Sequence, residues 1–161
     1  MKFDIEFTAY THLIILDANF ILLPYQFKID YFREIDQQLG GKLLFIIFQQ
    51  VYDELDAKME REPQASKFKR HYTGGLQYIE KFKDTYEVCE LPITKRPEET
   101  TDAFLLRIAI ALNSKSPHLF LATNDADLRK KAKQAHINVI FLRQENFYHL
   151  NNTFRLIWYY N

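Results

Sequence analysis

The run Leu13-Ile14-Ile15-Leu16, ending on Asp17 and followed by Phe20-Ile21-Leu22-Leu23, constrains the fold more than any other stretch. Four consecutive large apolar residues fit a strand covered on both faces, the kind that lies inside a parallel sheet. An ionised carboxylate at the end of such a strand is costly unless something cationic holds it. The carboxyl ends of strands are also where open α/β sheets bind ligands. Asp17 is therefore expected to form one wall of a divalent-metal site that later carboxylates complete.

The rest of the chain alternates strand and helix patterns. Lys42–Phe48 predicts a second wholly apolar strand, and Tyr86–Leu91, His118–Ala122 and Asn138–Leu142 predict three more. Helices are predicted from Pro24 through Phe27, Tyr31, Ile35 and Leu39 to a stop at Gly40-Gly41, then over Gln49–Met59, Gln64–Phe82, Thr101–Asn113 and Asp125–Ala135. Gly74-Gly75 are expected to weaken the third of these. Residues 1–12 suggest a short lead-in strand, and the aromatic-rich stretch 144–161 fits no single pattern. This order predicts parallel βαβ units in a three-layer α/β/α sandwich with a mainly parallel five-stranded sheet. With 161 residues a single domain over 1–161 is expected, its core at about 13–142 and 143–161 an extension packed on the domain or at a dimer contact. One cysteine, Cys89, precludes an intrachain disulfide and suits a reducing, cytoplasmic location. No apolar run is long enough to cross a membrane. The formal net charge of zero gives no global push toward nucleic acid, so such binding must rest on local patches.

Four acids stand at positions that this topology carries to one edge of the sheet. Asp17 and Asp125 follow apolar strands, Glu54 lies on the helix after another, and Asp102 heads a helix. Each has a simpler reading: Glu54 as part of a solvated face with Asp53 and Asp56, Asp102 and Asp125 as helix caps. Yet Asp102 shares a helix face with Leu105, Leu106 and Ala109, as Asp125 does with Leu128 and Ala132, so both point toward the crevice. Converging carboxylates repel and rise in pKa unless a cation neutralises them. His12, His71, His118, His136 and His149 are scattered, so the ligands are hard oxygens that suit Mg²⁺ or Mn²⁺. Such ions in an acidic crevice hydrolyse phosphodiesters without a Ser, Cys or His nucleophile.

These motifs resemble the PIN-domain ribonucleases over nearly all of residues 13–142. The matching segments are Asp17-Ala-Asn19, Glu54-Leu55, Asp102-Ala-Phe-Leu-Leu-Arg-Ile-Ala109 and Ala122-Thr123-Asn124-Asp125-Ala-Asp-Leu128-Arg129. Leu16–Phe27 and Asn138–Arg143 look most like an archaeal branch related to VapC-type toxins and small-subunit rRNA-processing proteins. The resemblance implies Mg²⁺- or Mn²⁺-dependent cleavage of single-stranded RNA, with Asp17, Glu54, Asp102 and Asp125 as catalytic metal ligands. It makes Asn19 and Thr123 polar support, with Asp127 as an added carboxylate. It also implies a homodimer and, by role, an antitoxin or ribosome-assembly partner. Thr101 stands where many relatives carry a further Asp, which loosens one metal position.

Arg129, Lys130, Lys133 and Arg143 are the first candidates for RNA phosphate contacts, beside a group of Lys58, Arg61, Lys67, Lys69 and Arg70. Tyr25 and Phe27 are candidates for stacking on bases, or for the core. The main alternative is a PIN-like module that binds RNA or protein without cutting. A haloacid-dehalogenase-type phosphotransferase needs a second Asp two positions after the first, where this chain has Asn19.

Overall fold

The computed structural model describes residues 4–64, 66–115, 118–145 and 153–160. Its centre is a sheet in the order β3-β2-β1-β4-β5-β6, formed by β1 (His12–Leu16), β2 (Leu43–Phe48), β3 (Val88–Leu91), β4 (Leu119–Ala122), β5 (Asn138–Glu145) and β6 (Thr153–Tyr159). Residues 13–16 and all of β2 and β4 are buried, so both sheet faces are covered. The cover comes from α1 (Ala18–Ile21), α2 (Leu23–Gln26), α3 (Tyr31–Leu39), α4 (Gln49–Arg61), α5 (Lys67–Phe82), α6 (Thr101–Asn113) and α7 (Ala126–Gln134). From β1 the chain builds outward through β2 to β3, then returns to add β4 on the other side of β1. That reversal opens a crevice at the carboxyl ends of β1 and β4, the topological switch point.

The α/β/α sandwich is as expected, but five strands undercounts the sheet. Among the described residues it has six and is mixed, because β6 pairs antiparallel with β5, setting Trp158 opposite Ile140 and Leu156 opposite Leu142. Leu156 is buried, and Phe154 meets Phe27 at 4.4 Å between ring centres. Crowded aromatics on both faces hide the period of two in this strand. Residues 146–152 and 161 of the unassigned stretch lie outside the described residues, as does His149. Of the suggested lead-in strand, residues 1–3 are likewise outside, and what is described contains a 3-10 turn, Phe7–Ala9.

The helix expected from Pro24 to Leu39 is interrupted. Lys28 takes a left-handed φ of 55°, and Asp30 starts α3 by accepting the Arg33 N–H at 3.4 Å. The Tyr78 hydroxyl donates to the same Asp30 oxygen at 2.6 Å and accepts the Phe32 N–H at 3.0 Å, so the break is tied to α5. Apolar periodicity runs across the break because both sides pack on one core; the cap residue is the signal that marks it.

α5 runs unbroken through Gly74 and Gly75, and their lack of side chains admits its neighbours. A Cβ on Gly75 would lie 2.0 Å from the Ile21 carbonyl oxygen, and one on Gly74 would lie 2.2 Å from the Tyr25 ring. Helix propensity alone favours alanine at such positions by about 1 kcal/mol. The Ile21 backbone cannot yield as a flexible side chain can. Gly75→Ala is therefore expected to destabilise the fold by about 1–3 kcal/mol, the range for overpacking, in urea unfolding. A Gly75→Ala protein as stable as wild type would contradict this packing.

Candidate functional site

Sheet register brings the first and last acids together. Leu16 pairs with Ala122, and the Asp17 N–H donates to the Ala122 carbonyl at 3.0 Å. The next residues along each strand, Asp17 and Thr123, thus meet at the carboxyl edge. Thr123 is fully buried; its hydroxyl donates to Asp17 Oδ2 at 2.7 Å and accepts the Asp125 N–H at 3.1 Å. Asp17 Oδ1 accepts the Ala18 N–H at 2.7 Å, capping α1. No helix start is evident there from the sequence. Asn19 donates through Nδ2 to Asp17 Oδ2 at 3.4 Å and accepts the Asn124 N–H at 3.0 Å. Asn124 Oδ1 in turn accepts the Leu142 N–H at 2.7 Å. One hydrogen-bonded chain therefore joins the segments after β1 and β4 to β5.

Asp17, Glu54, Asp102 and Asp125 line one cavity of about 190 Å³, with Asn19, Lys58 and the apolar Leu22, Leu55 and Phe68 also in its wall. Glu54 and Lys58 lie one turn apart on α4, and Lys58 Nζ sits 4.5 Å from the Phe68 ring centre. Asp102 is not the cap of α6: Thr100 accepts the Ala103 N–H at 3.1 Å in that role, leaving the Asp102 carboxylate to the cavity. Asp125 does cap α7, through Oδ1 to the Leu128 N–H at 2.9 Å.

Two side chains position α6. Gln50 is buried, accepts the Lys95 N–H at 3.1 Å and donates to Thr101 Oγ1 at 3.3 Å. Thr101 is thus a joint between α4 and α6. Glu99 receives both arms of Arg107 at 2.8 Å. The Arg107 hydrogen bonds pull the Glu99 carboxyl down to about 2.

The acids disturb one another. Burial pushes the Asp17 carboxyl above its ordinary value, opposed by its Thr123 and Ala18 hydrogen bonds, and Asp102 and Asp125 push it further. Burial also raises Glu54, followed by the charges of Asp17, Asp102 and Asp125, with Lys58 opposing. Asp102 rises through burial and through Asp125, against Lys131. Among the described residues no three His, Cys, Asp or Glu side chains stand close enough to grip an ion as they are; the carboxylates form a lining, not a closed cage. Their chemistry still fits a hard divalent cation. The donors are all carboxylate oxygens, and a positive ion among them would relieve the repulsion that raises three of them.

The remaining expected residues lie elsewhere. Asp127 is exposed and is not in the cavity wall, although its charge reaches Asp102. Arg129 sits 4.2 Å from the Phe141 ring centre, Lys133 4.2 Å from that of Tyr159, and Arg143 5.9 Å from that of Phe141. These three gather over β5 and β6 rather than at the acids, and Lys130 is exposed on α7. Lys58 is the cation in the cavity wall. Its spacing of four from Glu54 on one helix is the signal that singles it out.

Among curated proteins, Ribonuclease VapC4 of Methanocaldococcus jannaschii is 23% identical over 137 residues, spanning 85% of this chain and 95% of its own length. Among solved structures, the PIN domain endonuclease Utp24 superposes with a TM-score of 0.56 at 22% identity, covering 81% of this chain and 85% of that one. A domain of a functionally unknown protein from Methanocaldococcus jannaschii superposes with a TM-score of 0.59 at 19% identity, covering 86% and 97%. These identities speak to the fold and do not select the archaeal VapC-related branch. The PIN like domain family itself matches residues 14–145. That match runs from within β1 to the end of β5 and takes in all four acids, and on it this chain belongs to the PIN like domain family.

Proposed function

We propose that the protein is a divalent-metal-dependent endoribonuclease hydrolysing phosphodiester bonds of single-stranded RNA. The observation that carries this reading is the arrival of four carboxylates, from four separate segments, in the wall of one cavity at the switch point of the sheet. The names of two similar proteins, a ribonuclease and an endonuclease, support the same reaction class. Asp17, Glu54, Asp102 and Asp125 would hold Mg²⁺ or Mn²⁺, which when bound polarises phosphoryl oxygens and makes water acidic enough to attack. Thr123, Ala18 and Asn19 fix both oxygens of Asp17. Lys58 stands in the cavity wall to attract the phosphate that the acids would otherwise repel. Regulated toxin-type cleavage with an antitoxin, and a maturation cut in rRNA with a ribosome-assembly partner, both fit this chemistry, as a monomer or a homodimer. The described residues contain no helix long and apolar enough to cross a membrane, and a cytoplasmic site of action fits the free Cys89.

A second reading draws on the open spacing of the acids: a PIN-like module that binds RNA without cutting. A labelled, unpaired RNA incubated with Mn²⁺, with Mg²⁺ and with EDTA separates the two. Cleavage is expected only with metal, and Asp17→Asn is expected to lower its rate by at least about 100-fold, in line with loss of a ligand to the cation that would stabilise transition-state charge. Binding without cleavage under every condition would move the assignment to the module.

The raised carboxyls also predict a pH dependence. A carboxyl whose pKa is higher in the folded protein than in the unfolded chain binds protons more tightly when folded. Its stability contribution is full below the ordinary value, 3.8 for Asp and 4.5 for Glu, and is lost as pH climbs through the raised folded value. In EDTA, the melting temperature of the wild type is expected to fall relative to Asp17→Asn across that window. Mn²⁺ is expected to restore it at neutral pH and to act less at acidic pH, where protons compete for the same oxygens. An Mn²⁺ effect that is independent of pH, or equal in Asp17→Asn, would argue against metal binding by these acids.

A further inference from the structure

We propose that the cavity beside Tyr25 is a stacking subsite for an unpaired nucleobase of the RNA strand whose phosphate enters the acidic cavity. The identity of this ligand rests on the nuclease reading; the site itself rests on the ring and its surroundings. Tyr25 is 56% exposed on α2, yet its ring is not loose. A Cβ on Gly74 would fall 2.2 Å from both Cγ and Cδ2 of the ring, so the ring rests on bare α5 backbone. A glycine beneath it and solvent beyond it make Tyr25 a supported platform, with little side-chain freedom left to lose on stacking.

The cavity beside the ring is about 440 Å³, against about 190 Å³ for the acidic cavity. Gln64, Lys69, Arg70 and Gln77 border it. The Gln64 Oε1 accepts Lys69 Nζ at 2.5 Å. Aromatic faces bind unpaired bases of any sequence, amides address base edges, and lysine or arginine answers the adjoining phosphates. The positive charges of Lys69 and Arg70 at its border favour a polyanion, and so RNA, as the occupant over a protein segment.

The segments around α2 and α5 contribute to the walls of both cavities. Leu22, one turn before Tyr25, and Phe68, next to Lys69, belong to the wall of the acidic cavity. A strand laid across the α2–α5 seam therefore places a phosphate at the acids and a neighbouring base at Tyr25.

The test is anisotropy binding of a short fluorescent oligoadenylate and of an abasic oligoribose-phosphate of the same length. It uses the full chain at low salt in an Asp17→Asn background, so that cleavage does not enter. Tyr25→Ala is expected to weaken oligoadenylate binding by about 5- to 100-fold, the range for loss of one aromatic–base stack. Binding of the abasic strand is expected to stay unchanged, and Tyr25→Phe to restore affinity to within about twofold of the background. Tyr25→Trp guards against a misfolded alanine variant: its emission is expected to be quenched by oligoadenylate and not by the abasic strand. An oligoadenylate affinity that Tyr25→Ala leaves unchanged, an unquenched Tyr25→Trp, or no oligoadenylate binding at all would overturn the subsite. Tyr25-dependent binding by a wild type that cleaves nothing with any metal would instead remove the nuclease reading and leave the subsite standing.

Discussion

The carboxylate of Asp17 is the constraint on which the carboxyl edge of this protein depends. It sits at 4% exposure at the end of a strand in mid-sheet, where an unpaired charge is expensive. Three donors answer it: the Ala18 N–H, the Asn19 amide and the Thr123 hydroxyl. The two side-chain donors are themselves tied onward, Thr123 to the Asp125 N–H and Asn19 to Asn124, which reaches the Leu142 N–H. Leaving such a buried partner unsatisfied costs about 1–3 kcal/mol. The loops after β1 and β4 are consequently held in one arrangement by the need to solvate a single group. The chemistry of the edge and its rigidity have the same origin.

Much of this is legible in the sequence because it rests on strong local signals. Unbroken apolar runs at 13–16 and 43–48, short for helices, point to covered strands, and the acids that follow such strands are then carried to one edge. Thr101–Asn113 reads identically in sequence and structure, since its apolar period is uninterrupted and Thr100 caps it. What escapes a sequence reading depends on contacts between distant segments. The break at Lys28 leaves the apolar period intact, because α2 and α3 face one core. The role of Gly74-Gly75 is set by Ile21 and Tyr25, distant in the chain but in contact in the fold. β6 carries aromatics on both faces, so its alternation is blurred, and only pairing with β5 defines it.

Two basic residues of α7 lie at a distance from the acids that their sequence positions do not convey. Arg129 and Lys133 follow Asp125 closely in sequence and are natural candidates for phosphate contacts. Their charged heads lie over the rings of Phe141 and Tyr159, at the mixed end of the sheet. The field at the acidic cavity is set by four carboxylates, with Asp127 adding to them near Asp102, against Lys58 in its wall and Lys131 near Asp102. With a formal net charge of zero over the chain, the local balance near the acids is what an approaching polyanion meets.

The parallel order of the sheet has a consequence for the timing of folding. The hydrogen bond between Thr123 and Asp17 spans 106 residues of sequence, and the Asn19 bond to Asn124 spans 105. Contacts of such high sequence separation form late, because closing the intervening loop must precede any gain from them. During synthesis, a nascent chain that ends before β4 holds Asp17, Glu54 and Asp102 at most, without Thr123 and Asp125. The acidic cavity therefore comes into being only when the sheet is joined across β1 and β4, so a chain too incomplete to fold also lacks that cavity.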